Sequence, residues 1–464
     1  MHFYHTCWEL KNLEQKRSSF TGKLGFVLAA AGSAVGLGNI WRFPYLAAKY
    51  GGGIFLLVYI LLATTFGFSL MVAEIALGRK TRLSAIGAFS SLDKRFSFLG
   101  YLASAVPVII LSYYCVIGGW VMKYLAGFIA GSGATMANDG YFSSYIGKTA
   151  EPIAWFLLFM GITAIIVLLG VEKGIEKVSK FMMPVLVVLI FGISIYTICT
   201  MDGALDGVVY YLKPDFSKFS VMTVVAAMGQ MFYSMSLSMG IMITFGSYMK
   251  KDTRVEKSAR QIEWFDTGVA FLAGLMIIPA VFAFSGGDEA ALGQGPGLMF
   301  VTLPKIFDAM PGGNVIGAAF FLMVLFAALT SAISLMETIV SVFQDKLRLS
   351  RKTACLLAFA VCVVLGLLSC LGYSVWSGIK IIGMQFLDLF DFLSNSVMMP
   401  LVACATCIFV GYIIKPKTLI EEMEQSGPFR QKKLFTVMMK YIAPIFTLLI
   451  LVSSVLDVLG IVKI

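Results

Sequence analysis

Long apolar segments separated by short polar ones run along almost the whole chain. Each is near or above the ~20 residues that cross a hydrocarbon core of ~30 Å. In lipid the backbone must satisfy its own hydrogen bonds, and for single segments this means helices. The pattern predicts an all-α membrane protein with eleven transmembrane helices, at approximately 23–48, 53–79, 97–131, 153–170, 175–199, 221–249, 258–284, 314–345, 352–372, 378–413 and 436–459.

The first and the sixth of these segments carry glycine and polar residues at mid-depth. They read AGSAVGLGN at 31–39 and GQMFYSMSLSMG at 229–240. Each glycine costs about 1 kcal/mol relative to alanine inside a helix, and irregular backbone at that depth is tolerated only where it lines a cavity. The two segments lie five apart, and an odd repeat inverts the topology of its second copy. The sequence therefore predicts a 5+5 inverted repeat with discontinuous helices 1 and 6, which is typical of transporters.

This reading divides the chain into a cytoplasmic N-terminal tail, two repeats and a last helix. Between predicted helices 7 and 8, a Gly-Pro-Gly turn precedes a short apolar stretch, which indicates a re-entrant hairpin on the extracellular side. The predicted parts are the tail at 1–22, the first repeat at 23–199, the second repeat at 221–413 with its hairpin at about 295–312, and helix 11 at 436–459.

Small residues four apart, such as Gly32 and Gly36, also serve close helix packing. For a single segment we would favour packing. Two segments in corresponding positions, each with hydroxyl or amide side chains, favour a binding site. The glycines are not a dinucleotide-binding loop, because no strand precedes them.

Composition and charge agree with a membrane protein. The chain is 59% hydrophobic and 13% charged, about half the charged fraction of a soluble protein. Its net charge of +10 reflects 36 Lys and Arg against 26 Asp and Glu, and most of the basic residues fall in alternate loops and ends. This positive-inside pattern predicts a multi-pass protein of the cell inner (plasma) membrane, with a cytoplasmic N-terminus and an extracellular or periplasmic C-terminus. Its surroundings are the lipid bilayer, and no nucleic acid is expected as a partner.

An interrupted helix presents two kinds of backbone end at one place. Free amides at the start of one half suit a carboxylate, whereas free carbonyls at the end of the other suit Na⁺ or an ammonium group. Oxygen-bearing side chains at membrane depth add to these groups, namely Asn39, Ser234, Ser236, Asp266, Thr330 and Ser331. Glu74 is a further intramembrane carboxylate, and it is predicted either to bind an ion or to accept hydrogen bonds from exposed backbone amides.

Other function classes have less support. An enzyme would need a catalytic set, but both histidines lie in the N-terminal tail and there is no HExxH motif or nucleotide-binding loop. A channel would need a continuous polar pore, whereas the polar residues cluster at mid-depth. A non-transporting amino-acid sensor could keep the same site and remains an alternative.

Several strings resemble the neurotransmitter:sodium symporter family, and in particular its bacterial amino-acid transporters. They cover nearly the whole chain and read GSAVGLGNIWRFPY (32–45), GGGIF, AEIALGR, GQMFYSMSLSMG, GPGLMFVTLPKIF and FAALTSAISLME. The resemblance implies a symporter that carries a zwitterionic L-amino acid with Na⁺ by alternating access. It also implies two sodium sites.

The resemblance assigns roles to individual residues. The first sodium site would use Ala34, Asn39, Ser234 and Asp266, and the second Gly32, Val35, Ala327, Thr330 and Ser331. Substrate would be bound by Ser33, Ala34, Leu37, Gly38, Ile110, Tyr114, Phe232, Tyr233, Ser236, Met239 and Leu335. Arg42 and Asp391 would form an outer gate and Arg17 and Asp345 an inner one, while Gly174 and Pro184 resemble a motif that unwinds the fifth helix.

Two positions refine the expected function. Amine carriers of the family have an Asp where this chain has Gly36, so a substrate here must bring its own carboxylate. Asp266 replaces an Asn found in many members, and its fixed negative charge predicts chloride-independent transport. Together with Ser33, the flexible Met239 favours Tyr, Trp, Phe or Leu as substrate. Ser238, where many bacterial members have Gly, leaves the pocket shape open, and a carrier of alanine or glycine is the rival reading.

Overall fold

The computed structural model describes residues 19–286 and 297–458, which are almost entirely helical. Thirteen helical segments build the membrane-embedded body. They are α1 (Lys23–Ala34), α2 (Gly38–Lys49), α3 (Gly53–Thr81), α4 (Lys94–Ile129), α5 (Ala150–Leu168), α6 (Val171–Thr200), α7 (Val221–Ser234), α8 (Ile241–Tyr248), α9 (Val255–Phe284), α10 (Gly313–Leu347), α11 (Arg351–Gly372), α12 (Phe386–Ile413) and α13 (Lys432–Ser453). Short helices join them at Ala85–Leu92, Gly133–Met136, Tyr141–Ile146, Ala204–Leu212, Leu303–Ala309 and Pro416–Glu424.

Both predicted interruptions are present. A bend of 53° separates α1 from α2, and α7 and α8 are separated by residues 235–240. The all-α class is therefore confirmed. In the described part of the chain, nine helices are long and apolar enough to cross a membrane, and the bent pair makes ten. The number eleven depends on joining α7 and α8 into one span, so it stays a prediction, as does the inverted relation of the two repeats.

Inner and outer helices of the bundle differ in burial. In α3, α4 and α10, between 67% and 78% of the most apolar 18-residue stretch is buried inside the protein, whereas in α5, α6 and α13 this share is 33%. Helix α4 packs against α5, α10 and α11, and α10 also contacts α1 and α6. The interrupted helices therefore lie inside a scaffold, and α5, α6 and α13 present much of their apolar surface outward.

Helices α3 and α8 approach each other backbone to backbone. A Cβ added at Gly78 would lie 1.8 Å from the Ile243 carbonyl oxygen, and one at Gly246 would lie 2.4 Å from the Ile75 carbonyl oxygen. Neither position has room for a side chain. This contact joins the second half of the sixth predicted span to the second span.

One predicted boundary differs and one lies partly outside the described residues. The tenth predicted span begins at 378, but α12 begins at Phe386, because the apolar residues before it form a tight turn closed by hydrogen bonds between Ile381 and Met384. Of the hairpin predicted at about 295–312, residues 295 and 296 lie outside the described residues. The rest consists of a π-helical turn, Leu298–Thr302, and a short helix. The Phe300 ring stacks on the Phe142 ring, with the two ring centroids 4.9 Å apart.

Candidate substrate and sodium site

The two helix interruptions meet at a central cavity. The cavity measures about 30 Å³ and is lined by both breaks together with α4 and α10. Nearly all predicted substrate residues line it, namely Ser33, Ala34, Leu37, Gly38, Ile110, Tyr114, Tyr233, Ser236, Met239 and Leu335. The cavity is also lined by Ile241, which the sequence analysis missed because it follows the polar stretch.

The break between α1 and α2 is held by side chains on both sides. The Gly36 N–H donates to the Asn39 amide oxygen at 3.1 Å, and the Leu37 N–H donates to the Tyr114 hydroxyl oxygen at 3.1 Å. These amides stand at the start of α2, where backbone N–H groups have no partner within the helix. The end of α2 at the cavity is therefore suited to a carboxylate.

The break between α7 and α8 contains strained backbone. Ser236, Ser238 and Gly240 have φ values of 53°, 64° and 74°, a region that costs serine about 1 kcal/mol. The Ser238 N–H donates to the Glu74 carboxylate at 2.7 Å, and Glu74 is 1% exposed. Of the two roles predicted for Glu74, acceptance of a freed backbone amide is the one seen in the structure.

The first predicted sodium ligands lie within hydrogen-bonding distance of one another. The Asp266 carboxylate accepts from the Asn39 amide at 2.7 Å and from the Ser234 hydroxyl at 2.8 Å. Tyr59 was not predicted, but its hydroxyl donates to Asp266 at 3.3 Å. Asp266 is fully buried, and its three donors are all neutral, so the site provides one uncompensated negative charge among oxygen atoms.

The second predicted group also converges. The Ser331 hydroxyl lies 3.4 Å from the Gly32 carbonyl oxygen and 3.3 Å from that of Val35. On the same turn of α10, the Thr330 hydroxyl donates to the Ala327 carbonyl at 3.1 Å. The break of helix 1 thus directs carbonyl oxygens at hydroxyl groups of α10, which is an oxygen-only set suited to a small alkali cation.

Phe232 is the one predicted substrate residue that the cavity does not reach. Its ring packs edge-on against Phe66 at 5.4 Å, while Tyr233 lines the cavity. Phe232 therefore contacts Phe66 and not the cavity in this structure, and its assignment to the substrate pocket stays a prediction.

A second cavity of about 160 Å³ lies beside the first and is lined by the predicted outer gate. The Arg42 guanidinium rests over the Tyr233 ring, 5.4 Å from its centroid, and Asp391 lies on the same cavity. Within the described part of the chain, Arg42 and Asp391 do not form an ion pair. The structure therefore brings the two residues to one cavity without joining them.

At the opposite, predicted cytoplasmic end, the structure describes one of the two predicted inner-gate residues. Asp345 accepts from the Ser84 N–H at 2.7 Å, whereas Arg17 lies outside the described residues. Gly174 belongs to a widened turn, Val171–Glu176, and Pro184 lies inside α6. The segment between them is helical, so its unwinding stays a prediction.

Two buried charged pairs at this end were not predicted. Glu337 is fully buried and pairs with Arg351 at 2.5 Å, and the Tyr248 hydroxyl donates to the same carboxylate at 2.8 Å. Arg79 pairs with Glu422 at 2.9 Å, with both side chains almost completely buried. Glu337 could have been found as a carboxylate inside an apolar segment, but nothing in the sequence links Arg79 to a residue 343 positions away.

Comparisons with known proteins identify the family of this chain. The sequence profile of the sodium:neurotransmitter symporter family matches residues 17–132 and 142–461. An uncharacterized sodium-dependent transporter of Bacillus subtilis, YhdH, is 34% identical, over 95% of this chain and 98% of its own. A second one, from Haemophilus influenzae, is 32% identical over 95% and 98%.

A solved structure, MhsT in complex with L-phenylalanine, matches with a TM-score of 0.86 and 38% identity, covering 94% of this chain and 100% of the MhsT chain. The family consists of membrane symporters and not of enzymes. The chain belongs to the sodium:neurotransmitter symporter family.

Proposed function

We propose that this chain imports a zwitterionic, large hydrophobic or aromatic L-amino acid together with Na⁺ by alternating access. The observation that carries the proposal is the meeting of both helix breaks at one cavity, with an amide end and two groups of oxygen ligands around it. The substrate carboxylate would meet the Leu37 and Gly38 amides. Its ammonium group would meet carbonyl oxygens of the two breaks.

Gly36 supports a substrate that carries its own carboxylate. A Cβ at this position would lie 2.6 Å from the Ser331 hydroxyl and 2.9 Å from the Tyr114 hydroxyl. A carboxylate side chain would therefore need both groups to move. Position 36 therefore supplies no carboxylate that could replace one missing from the substrate, so amino acids are favoured over amines as substrates.

The side-chain end of the cavity supports an apolar substrate. Ile110, Met239, Ile241 and Leu335 line it, and MhsT, which is similar over almost the whole chain, was solved with L-phenylalanine. The cavity of about 30 Å³ holds only a few waters, so a phenyl ring requires the lining side chains to move, and Met239 has the rotamer freedom to do so. The same small volume is the observation that favours the rival, a carrier of alanine or glycine.

A thermal-shift screen of the twenty amino acids, with and without Na⁺, tests the proposal. A ligand stabilises the state that binds it by mass action, so Phe, Tyr, Trp or Leu should raise the melting temperature only when Na⁺ is present. A shift with alanine or glycine alone would favour the rival. Counterflow of the labelled hit in proteoliposomes would then separate a carrier from a non-transporting sensor.

We propose two sodium sites, formed by the Asp266 group and by the Thr330 and Ser331 group. Asp266→Ala and Ser331→Ala should each weaken sodium-dependent stabilisation, and their effects should differ because only Asp266 carries charge. The sodium dependence of binding in the wild-type protein should be steeper than that of one site. A simple hyperbola that neither variant alters would contradict two sites.

We also propose that transport is independent of chloride. The fixed charge of Asp266, buried among neutral donors, provides the negative charge that a chloride ion would otherwise supply next to sodium. Uptake into proteoliposomes should be unchanged when gluconate replaces chloride on both sides. Loss of uptake in gluconate would refute this.

The proposed placement is the inner membrane, with the N-terminus and the Arg17–Asp345 gate in the cytoplasm. The distribution of Lys and Arg supports this orientation. The segment from Gly174 to Pro184 is proposed to unwind when the inner side opens, which would admit water to the second sodium site.

A further inference from the structure

Three side chains near the outer cavity form a closed hydrogen-bonded triangle. The Tyr113 hydroxyl donates to Asp391 Oδ1 at 2.9 Å. The Asn395 amide donates to the same oxygen at 2.6 Å and to the Tyr113 hydroxyl oxygen at 3.2 Å. Tyr113 is 1% exposed, whereas Asp391 and Asn395 are partly exposed, so the triangle lies between the protein interior and the outer cavity.

The donor directions in this triangle are mutually consistent in only one way. Tyr113 has a single hydroxyl hydrogen, which it gives to Asp391, and its oxygen takes one of the two Asn395 amide hydrogens. Two of the three hydrogen bonds, from Tyr113 and from Asn395, end on Asp391 Oδ1, which accepts both. Rotating the Asn395 amide by 180° would place its oxygen against the carboxylate, so the observed orientation is the favourable one.

The bonds converge on one carboxylate oxygen and leave the other available. Among the residues described, the hydrogen bonds to the Asp391 side chain end on Oδ1. Arg42 lines the same cavity and rests on the Tyr233 ring, with its guanidinium outside ion-pair distance. A guanidinium pairs well with a carboxylate whose orientation is already set, because less side-chain freedom is lost on pairing.

We propose that Tyr113 and Asn395 are positioning residues of the outer gate. They hold the Asp391 carboxylate in a fixed orientation, so that Arg42 can leave the Tyr233 ring and pair with it when substrate is bound. This inference rests on the proposed function only through the gate role of Arg42 and Asp391. The opposite role, in which the triangle competes with Arg42 for the carboxylate, predicts effects of opposite sign.

The first test is the dissociation of radiolabelled L-phenylalanine from the purified full-length protein in Na⁺. Tyr113→Phe, which removes one oxygen atom, and Asn395→Leu should each accelerate dissociation about tenfold, the effect of losing one hydrogen bond to a charged group. Tyr101→Phe is the matched control, because Tyr101 lies near the other end of α4 and is 49% exposed. Slower or unchanged dissociation in Tyr113→Phe would overturn the proposal.

A double-mutant cycle separates positioning from a general loss of structure. In an Asp391→Ala background, Tyr113→Phe should cause little further acceleration, since the proposed positioning effect needs the carboxylate that this background removes. An additive effect in the double variant would contradict a role through Asp391.

A second readout does not depend on which amino acid is the substrate. Ile117 lines the outer cavity, so Ile117→Cys, in a Cys199→Ser background that removes the exposed native thiol, reports opening through a membrane-impermeant thiol reagent. In Na⁺ alone, Tyr113→Phe should increase the labelling rate severalfold. If the wild-type protein binds no L-phenylalanine, the proposed substrate fails, while labelling still decides the role of Tyr113 and Asn395.

Discussion

The two ends of the proposed transport path are closed by different kinds of contact. At the predicted cytoplasmic end, Glu337 with Arg351 and Arg79 with Glu422 form ion pairs in which the carboxylates are at most 2% exposed. At the outer end, Arg42 and Asp391 line a cavity of about 160 Å³ without pairing. The inner end therefore contains buried charge that is costly to separate, whereas the residues of the proposed outer gate are not joined by an ion pair.

This difference indicates which side opens at lower cost. Removing one member of a buried ion pair leaves an uncompensated charge and costs about 3–5 kcal/mol, whereas a solvent-exposed pair contributes about 0–1 kcal/mol. If the proposed orientation holds, substrate from outside would reach the site through the end that lacks the buried ion pairs. Opening the inner end requires the charged pairs to separate or to move together.

The largest effect is expected for Glu337→Gln. The substitution leaves Arg351 without its counter-charge, and we expect the inner end to open more easily by about 3 kcal/mol, which is more than a hundredfold in the opening equilibrium. Cys355, a native thiol that is 4% exposed and lies one helical turn from Arg351, should react faster with a permeant maleimide. The control is Glu421→Gln, since Glu421 and Lys417 form an exposed pair. Equal labelling rates in the two variants would show that the buried pair does not hold the inner end closed.

A smaller effect is expected for Glu422→Gln. Arg79 would lose its carboxylate but keep hydrogen bonds to the Thr253 carbonyl and the Ser426 hydroxyl, so the loss should be about 2 kcal/mol. The melting temperature in detergent should fall by a few degrees. Glu424→Gln, whose pair with Lys432 is largely solvent-exposed, should leave it unchanged, and an equal fall in both would argue against a special role of burial.

Asp345→Ala should have an intermediate to small effect at the same end. The Ser84 N–H, at the start of the short helix Ala85–Leu92, would lose a charged acceptor, at a cost of about 1–2 kcal/mol. The protein should shift toward an inward-open state, seen as faster labelling of a cysteine probe in the inner vestibule. Unchanged accessibility would refute a gate role for Asp345.

The smallest effect is expected at the outer end. Asp388 lines the outer cavity and is exposed, so Asp388→Asn should alter apparent substrate affinity by less than about threefold. Screening by salt should make even this difference vanish at high ionic strength and constant Na⁺. A large, salt-insensitive loss of affinity would show that the outer end also relies on strong charged contacts.

Much of the fold could be predicted because membrane insertion imposes a simple pattern. Helices α4 and α9 begin and end within three residues of the predicted segments, since basic residues and glycines mark the ends of long apolar runs. The start of α12 could not be predicted, because Ile381 and its apolar neighbours look like a helix although the backbone turns there. Hydrophobicity alone does not distinguish an apolar turn from an apolar helix.

The candidate site was predictable where it depends on consecutive residues. The break in helix 1 and the serine-rich break in helix 6 are visible as glycine and hydroxyl groups in apolar segments. Tyr59 and Glu422 were missed because their roles arise from partners far away in the chain, as in the contact of Tyr59 with Asp266, 207 positions apart. Such pairings are set by tertiary packing, which no local pattern records.

The absence of side chains at Gly78 and Gly246 has a consequence for motion. With no side chain between them, α3 and α8 have little room to slide or separate, so any displacement of α8 during transport must carry α3 along. Glu74 belongs to α3, and its carboxylate holds the Ser238 amide beside α8. The Glu74 carboxylate therefore moves together with the break, and the Ser238 N–H keeps its hydrogen bond while the surrounding helices rearrange.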